Sequence, residues 1–351
     1  MAGKFEYLPE DLRNQLTQTA LQLVTKGKGI LATDDLPGDI DKRFVGFGIP
    51  IGAESRRFYR QLLYTSPGIE KYISGAIMYD ETVYHKTNDG VPFPEYLLSK
   101  GVLSGVQADL GLVDLQGFPG ETATQGLDDL KARCQNYYNL GIRFAKWRAA
   151  FSITDTTPSS LAIQENVHTL ARYALLSQQA GLVPIVEPDV SIQGNFTLDR
   201  CQKVMEEIWS ATFKALVDHH VHLEGVILKT NMVLPGRSSN EQVTAERAAI
   251  ATVEALSRTV PPAVPGVGFL SGGQSEEESS INLNAINQAP GPKPWALTFC
   301  YGRALQASAQ NVWSTNHSEI VAAQEIFIKR CEANSLASLG KYIPGSIPTF
   351  A

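Results

Sequence analysis

Eight short apolar runs, each followed by a stretch with helical spacing, limit the folds open to this chain more than any other feature. The runs are Gly29 to Asp34, Ile73 to Tyr79, Val102 to Ala108, Ile142 to Trp147, Leu182 to Glu187, Leu223 to Lys229, Val267 to Ser271 and Ala296 to Tyr301. Segments apolar nearly throughout fit parallel strands covered on both faces. Helical patterns fill the gaps. Pro9-Glu10-Asp11 opens one in which Leu12, Leu16, Ala20, Leu23 and Val24 recur at helical spacing, with Gly27 as a stop. Thr157-Pro158 begins another, and 199–219 and 241–260 are amphipathic. Eight strands alternating with helices predict a (β/α)8 TIM barrel, a single domain over residues 1–351 with an N-terminal helix and a short C-terminal tail. The glycine-containing stretch from Leu110 to Leu130 reads as an excursion on the barrel rim.

A chain of 351 residues, 43% hydrophobic, can bury a core of this size. Its net charge of −6 argues against a general nucleic-acid binder, though not against small anions. No apolar run reaches the roughly 18 residues of a membrane span, and Met1 to Glu6 lacks the apolar core of a secretion signal. Cys134, Cys201, Cys300 and Cys331 form no Cys-x-x-Cys pair and read as free thiols in a reducing cytoplasm.

Barrels of this type carry their chemistry at the C-terminal ends of the strands. Here those ends supply Asp34, Asp109, Lys146 with Arg148, Glu187, Lys229, Ser271-Gly272-Gly273 and Gly302-Arg303. Charged side chains aimed into a packed core are costly, so their repetition strand after strand points to a site. Lys229 is the expected nucleophile: burial favours the neutral amine, which attacks a carbonyl carbon to give a Schiff base. A second cation, Lys146, is expected to lower the Lys229 pKa further and to stabilise developing oxyanions; a purely structural salt bridge to Glu187 is the alternative. Glu187 and Asp34 are the acid–base candidates. Ser271-Gly272-Gly273 before a helix, and Gly302-Arg303 after the next strand, occupy the loops where barrels often hold phosphate. His220 and His222 could share one face of an extended segment, but they precede the sixth strand on the opposite end of the barrel, so no catalytic metal is expected.

These residues resemble the class I, Schiff-base fructose-bisphosphate aldolase family from about Leu8 to Tyr342. The resemblance is carried by 27–32 with Asp34, by 55–60, 144–148 and 185–188, by Leu228-Lys229 with Asn231-Met232-Val233, by 269–278 and by 301–308. It implies a lyase of glycolysis and carbohydrate metabolism that cleaves fructose 1,6-bisphosphate reversibly to dihydroxyacetone phosphate and glyceraldehyde 3-phosphate. Lys229 would attack the C2 ketone, Glu187 assist dehydration, Asp34 take the C4 hydroxyl proton and Lys146 stabilise charge. Ser271, Gly272, Gly302 and Arg303 would hold the C1-phosphate. A metal-independent, cytoplasmic homotetramer is likewise implied, with phosphorylated ketose and dihydroxyacetone phosphate as ligands, no nucleic acid or membrane partner, and possible cytoskeletal partners.

The departures concentrate at one end. Two serines and a lysine that bind the distal C6-phosphate in the family correspond to Leu36, Asp39 and Gln107, while Arg43 and Arg148 remain. Lost charge-assisted hydrogen bonds at roughly 1.5–3 kcal/mol each predict weaker use of the bisphosphate and a better fit to ketose 1-phosphates such as fructose 1-phosphate. Rebuilding of the distal site by Arg43, Arg148 and backbone amides is the competing expectation, and a low-turnover binding or scaffold homologue is the other. Asp189 replaces a glutamate and Cys300 a serine, and the chain stops at Ala351 without the family's terminal tyrosine, which would slow proton exchange on the enamine.

Overall fold

In the computed structural model, which describes residues 8–315 and 319–349, the eight runs close into one parallel barrel. Its strands are β1 (Gly29–Thr33), β2 (Ile73–Met78), β3 (Leu103–Gln107), β6 (Phe144–Phe151), β7 (Val183–Val190), β8 (Ile227–Thr230), β9 (Gly266–Phe269) and β10 (Ala296–Tyr301). Between them, β4 (Leu112–Asp114) and β5 (Thr122–Thr124) pair antiparallel, so the expected rim excursion is a small hairpin. The barrel runs β1-β10-β9-β8-β7-β6-β3-β2, and helices fill the connections. Met1 to Glu6 and Ala351 lie outside the described residues.

Two apolar layers follow from the two-residue period of a strand. Ile30, Ile77, Leu103, Phe144, Ile185, Ile227 and Cys300 pack together inside the barrel with Leu16, Ala20 and Leu23 of the helix Glu10–Leu23. That helix therefore stops the N-terminal end with its apolar stripe. Residues of the opposite parity, such as Leu31, Val106, Trp147, Val186, Leu228 and Val267, pack in the larger layer beneath the outer helices. The interior is tight where Phe144 fills it: a Cβ on Gly105 would lie 2.1 Å from that ring, so only glycine fits opposite it.

Helix boundaries moved by a few residues, each for a local reason. The stretch opening at Thr157-Pro158 becomes helical only at Ser160, where the Ser159 side chain accepts from the Ala162 amide. Thr197 and Thr244 cap the helices Leu198–Asp218 and Ala245–Thr259 in the same manner. The expected strand from Leu223 begins later, because Leu223–Gly225 forms a 3-10 turn. Lys229 is therefore the penultimate residue of β8 rather than its last.

Candidate active site

Interior parity carries straight from the apolar plug to the site. Two residues beyond Ile185 lies Glu187; two beyond Phe144 lies Lys146, then Arg148; two beyond Ile227 lies Lys229. Ala32 leads to Asp34, Leu103 through Gly105 to Gln107, and Cys300 to Gly302. All the polar members of this set line one cavity of about 520 Å³ at the C-terminal mouth of the barrel. Leu36, Asp39, Asp109, Asp189, Ser271, Gly272 and Arg303 line it too.

Three buried charges, Lys146, Glu187 and Lys229, and the partly buried Asp34 form its floor. Lys146 Nζ lies 2.7 Å from Asp34 Oδ2 and 3.1 Å from Glu187 Oε2, and Lys229 Nζ lies 2.9 Å from Glu187 Oε1. Glu187 bridges the two lysines, yet its Oε2 has no aligned hydrogen-bond donor and keeps accepting capacity in reserve. Burial raises the Asp34 pKa, but Lys146 and Lys229 outweigh it and hold the carboxyl at about 2. Glu187 is likewise pulled below the usual glutamate range by the two lysines, against burial. Lys146 is driven well above an ordinary lysine because Asp34 and Glu187 overcome the cost of burying it.

The charge expected on Lys229 needs correction. Burial, the largest single effect, does favour its neutral amine, and Lys146 adds to it, but Glu187 together with Cys300 and Asp34 outweighs them and raises the pKa above that of an ordinary lysine. The resting amine is an ammonium in a buried ion pair. An amine in that state becomes nucleophilic only after losing a proton, and Glu187 is the carboxylate in contact with it. Lys146 touches Asp34 as well as the Glu187 expected of a structural ion pair.

On one flank, β9 and β10 present the expected loops. Gly272 and Gly273 have φ of 58° and 92°, a left-handed turn that glycine adopts at no steric cost. Ser275 then caps the helix Glu276–Gln288 in a capping box with Glu278. Gly302 packs 3.3 Å (from an ideal Cβ) against the Ala32 carbonyl, and Arg303 opens the helix Arg303–Thr315. Cys300 is buried beside the lysines, its thiol pushed up to about 12, chiefly by burial.

The opposite flank, from β1, β3 and β6, is different in kind. Leu36 exposes an alkyl side chain, and Asp39 stands on the rim with Lys42 at 3.5 Å. Gln107 is hydrogen-bonded to Asp109 at 2.9 Å and to Lys146 at 3.4 Å. Arg148 Nε is bound to Asp189 Oδ2 at 2.8 Å. Arg43 does not line the cavity: its guanidinium is paired with Asp35 at 2.9 Å and borders a neighbouring cleft. Sequence reading had missed Asp35, whose carboxylate also takes Arg60 at 3.2 Å and so ties down both arginines. The one signal available was the Asp34-Asp35 doublet closing the first run. Around the whole cavity, six carboxylates face four cations, a balance of −2.

His220 and His222 border a separate cleft at the N-terminal end, where His222 Nε2 meets Thr17 Oγ1 at 2.8 Å and its Nδ1 meets Glu224 at 3.1 Å. Among the described residues, no group of three or more His, Cys, Asp or Glu is placed to hold a metal ion, and no helix is long and apolar enough to cross a membrane.

Comparison with known proteins gives a consistent picture. The family profile described as fructose-bisphosphate aldolase class-I matches residues 15–349. Human fructose-bisphosphate aldolase C is 52% identical over 343 residues, 97% of this chain and 94% of that protein. Aldolase A of Salmo salar is 53% identical over 344 residues, covering 98% and 95%. Among solved structures, the aldolase of Plasmodium falciparum, crystallised with TRAP and a small-molecule inhibitor, superposes with a TM-score of 0.95 at 46% identity, covering 97% of this chain and 98% of that one.

Proposed function

The chain belongs to the class I fructose-bisphosphate aldolase family and is a lyase; from that premise we propose that it cleaves ketose 1-phosphates to dihydroxyacetone phosphate and an aldehyde through a Schiff base at Lys229. The observation that carries this reading is the buried chain of contacts Asp34–Lys146–Glu187–Lys229 in the barrel mouth. A scaffold without turnover has no use for two buried lysines between two buried carboxylates, an arrangement costly to desolvate.

Each group has a part set by its contacts. As the substrate ketone enters, Glu187 takes a proton from Lys229, and the freed amine attacks C2. Lys146, held as a cation, stabilises the oxyanion of the carbinolamine. The attacking nitrogen, which carries two protons after addition, passes one to that oxyanion; Glu187 then returns its own proton to the resulting hydroxyl, which leaves as water while the nitrogen lone pair forms the iminium. Asp34, ionised at any working pH because its pKa is about 2, accepts the C4 hydroxyl proton. The C3–C4 bond breaks and its electron pair flows into the iminium to give the enamine. Asp189 steadies Arg148 at the edge of this set. Ser271, Gly272, Gly302 and Arg303 grip the C1-phosphate. Class I chemistry is metal-independent, and no cofactor beyond Lys229 enters this scheme. A cytoplasmic homotetramer is the assembly proposed, on family grounds.

The distal end supports a preference for substrates without a second phosphate. An alkyl group, an anion and an amide stand at Leu36, Asp39 and Gln107, and the two arginines expected to compensate are already committed: Arg43 to Asp35, Arg148 to Asp189. A phosphate there meets net negative charge. Steady-state cleavage of fructose 1-phosphate and fructose 1,6-bisphosphate, with Lys229→Ala as control, tests the proposal. It requires kcat/KM for the monophosphate to match or exceed that for the bisphosphate; a strong bisphosphate preference rejects the specificity and leaves the lyase chemistry standing.

A further inference from the structure

Gln107 and Asp109 occupy successive inward positions at the end of β3. The Asp109 carboxylate, 6% exposed, receives three N–H groups. Gln107 Nε2 at 2.9 Å and the Gly111 amide at 3.1 Å reach Oδ1; the Arg148 amide at 3.2 Å reaches Oδ2. A carboxylate only accepts and an ammonium only donates, so the two neighbours of the Gln107 amide dictate the same orientation. Its NH2 turns to Asp109 and its carbonyl to Lys146 Nζ, 3.4 Å away. Lys146 has three N–H groups and meets acceptors from three strand ends: Asp34 after β1, Glu187 on β7 and Gln107 on β3.

We infer that Gln107 is a positioning residue for Lys146, and that Asp109 acts through it by fixing the direction of its amide. The ammonium is thereby kept at the meeting point of Asp34 and Glu187 instead of leaning toward either. This inference rests on the role proposed above for Lys146. It also weakens position 107 as a phosphate ligand: one N–H of the amide is engaged by Asp109 and its carbonyl faces Lys146, leaving a single neutral donor where the family has a cation. A lysine at that position would repel Lys146 where the glutamine receives it.

Gln107→Met, of similar size but without polar atoms, is expected to lower kcat for fructose 1-phosphate by about tenfold, the worth of one hydrogen bond to a charged group, with KM changed by less than about twofold because the phosphate loops are untouched. Asp109→Asn puts an NH2 where a carboxylate oxygen was. Gln107 can then turn its donor toward Lys146, and a comparable loss follows. Because one residue acts through the other, the double variant should lose about tenfold, not the roughly hundredfold of independent effects. Unaltered kcat in Gln107→Met, or a hundredfold loss in the double variant, overturns the inference. Thermal melting accompanies each assay; if Asp109→Asn fails to fold, the kcat-against-KM split of Gln107→Met decides alone. Failure of the specificity reading is distinguishable: a wild-type preference for the bisphosphate rejects that reading, while a tenfold loss on the preferred sugar still upholds the positioning of Lys146.

Discussion

Replacing Glu187 by glutamine removes the charge that does most to keep Lys229 protonated. The carboxylate lies 2.9 Å from Lys229 Nζ. At an effective dielectric constant of about 20, such a pair is worth up to roughly 6 kcal/mol in bare Coulomb terms, or about four pKa units at 1.36 kcal/mol each. Relaxation and hydration take up much of that, so a downward shift of at least about one unit is the expectation. The partition between the two lysines is also set. Lys146 keeps Asp34 at 2.7 Å, whereas Lys229 is left with burial and the repulsion of Lys146, opposed by the lesser pulls of Cys300 and Asp34. Lys229 should therefore be the one to lose its proton, becoming more reactive at neutral pH toward a neutral acylating reagent. Turnover should meanwhile fall by about 10²–10⁴, since no group remains to shuttle the proton at the carbinolamine. The assay follows acylation of Lys229 against pH by peptide mass mapping in both proteins. An apparent pKa in Glu187→Gln equal to or above that of the parent would refute the reasoning.

Other perturbations test other parts of the account. The Asp34 pKa is depressed from 3.8 to about 2, so its ion pair adds stability above pH 4 that is lost as pH falls toward 2; the shift corresponds to about 2.5 kcal/mol. Asp34→Asn should therefore unfold more readily than the parent at pH 6 in denaturant titrations, and the gap should close near pH 2. Gly105→Ala forces a methyl into the Phe144 ring and should cost about 1–3 kcal/mol or more, read as a lower Tm. Leu36→Ser with Asp39→Ser removes an anion and supplies two hydroxyls at the distal end; kcat/KM for the bisphosphate should rise by about tenfold or more while that for fructose 1-phosphate stays within about threefold.

The barrel was legible because each strand carries its own local signal, an apolar run ended by a glycine turn or a charge. Every site residue on a strand shares the interior parity of an apolar residue two or four positions before it, and that period is written in the sequence. What could not be read was which charges meet. Lys229 looked like a desolvated, neutral amine because its counter-ion lies on the neighbouring strand, and only the register Val186 opposite Leu228 brings Glu187 beside it. Arg43 looked free to reach a phosphate until Asp35 was found holding it. The link between Gln107 and Asp109 is the opposite case: two residues apart along one strand edge, they were within reach of the alternation rule. The late start of β8 escaped notice because Leu223–Gly225 is apolar enough to pass for strand while its amides close a 3-10 turn.

The central claim is that the Lys229 nitrogen becomes the covalent partner of the substrate ketone once Glu187 has taken its proton. Borohydride reduction in the presence of dihydroxyacetone phosphate, followed by peptide mapping, tests it most directly. The account predicts one stable adduct per chain, on the peptide containing Lys229, and slower formation in Glu187→Gln at its pH optimum. An adduct on another lysine, or none while cleavage continues, would contradict it.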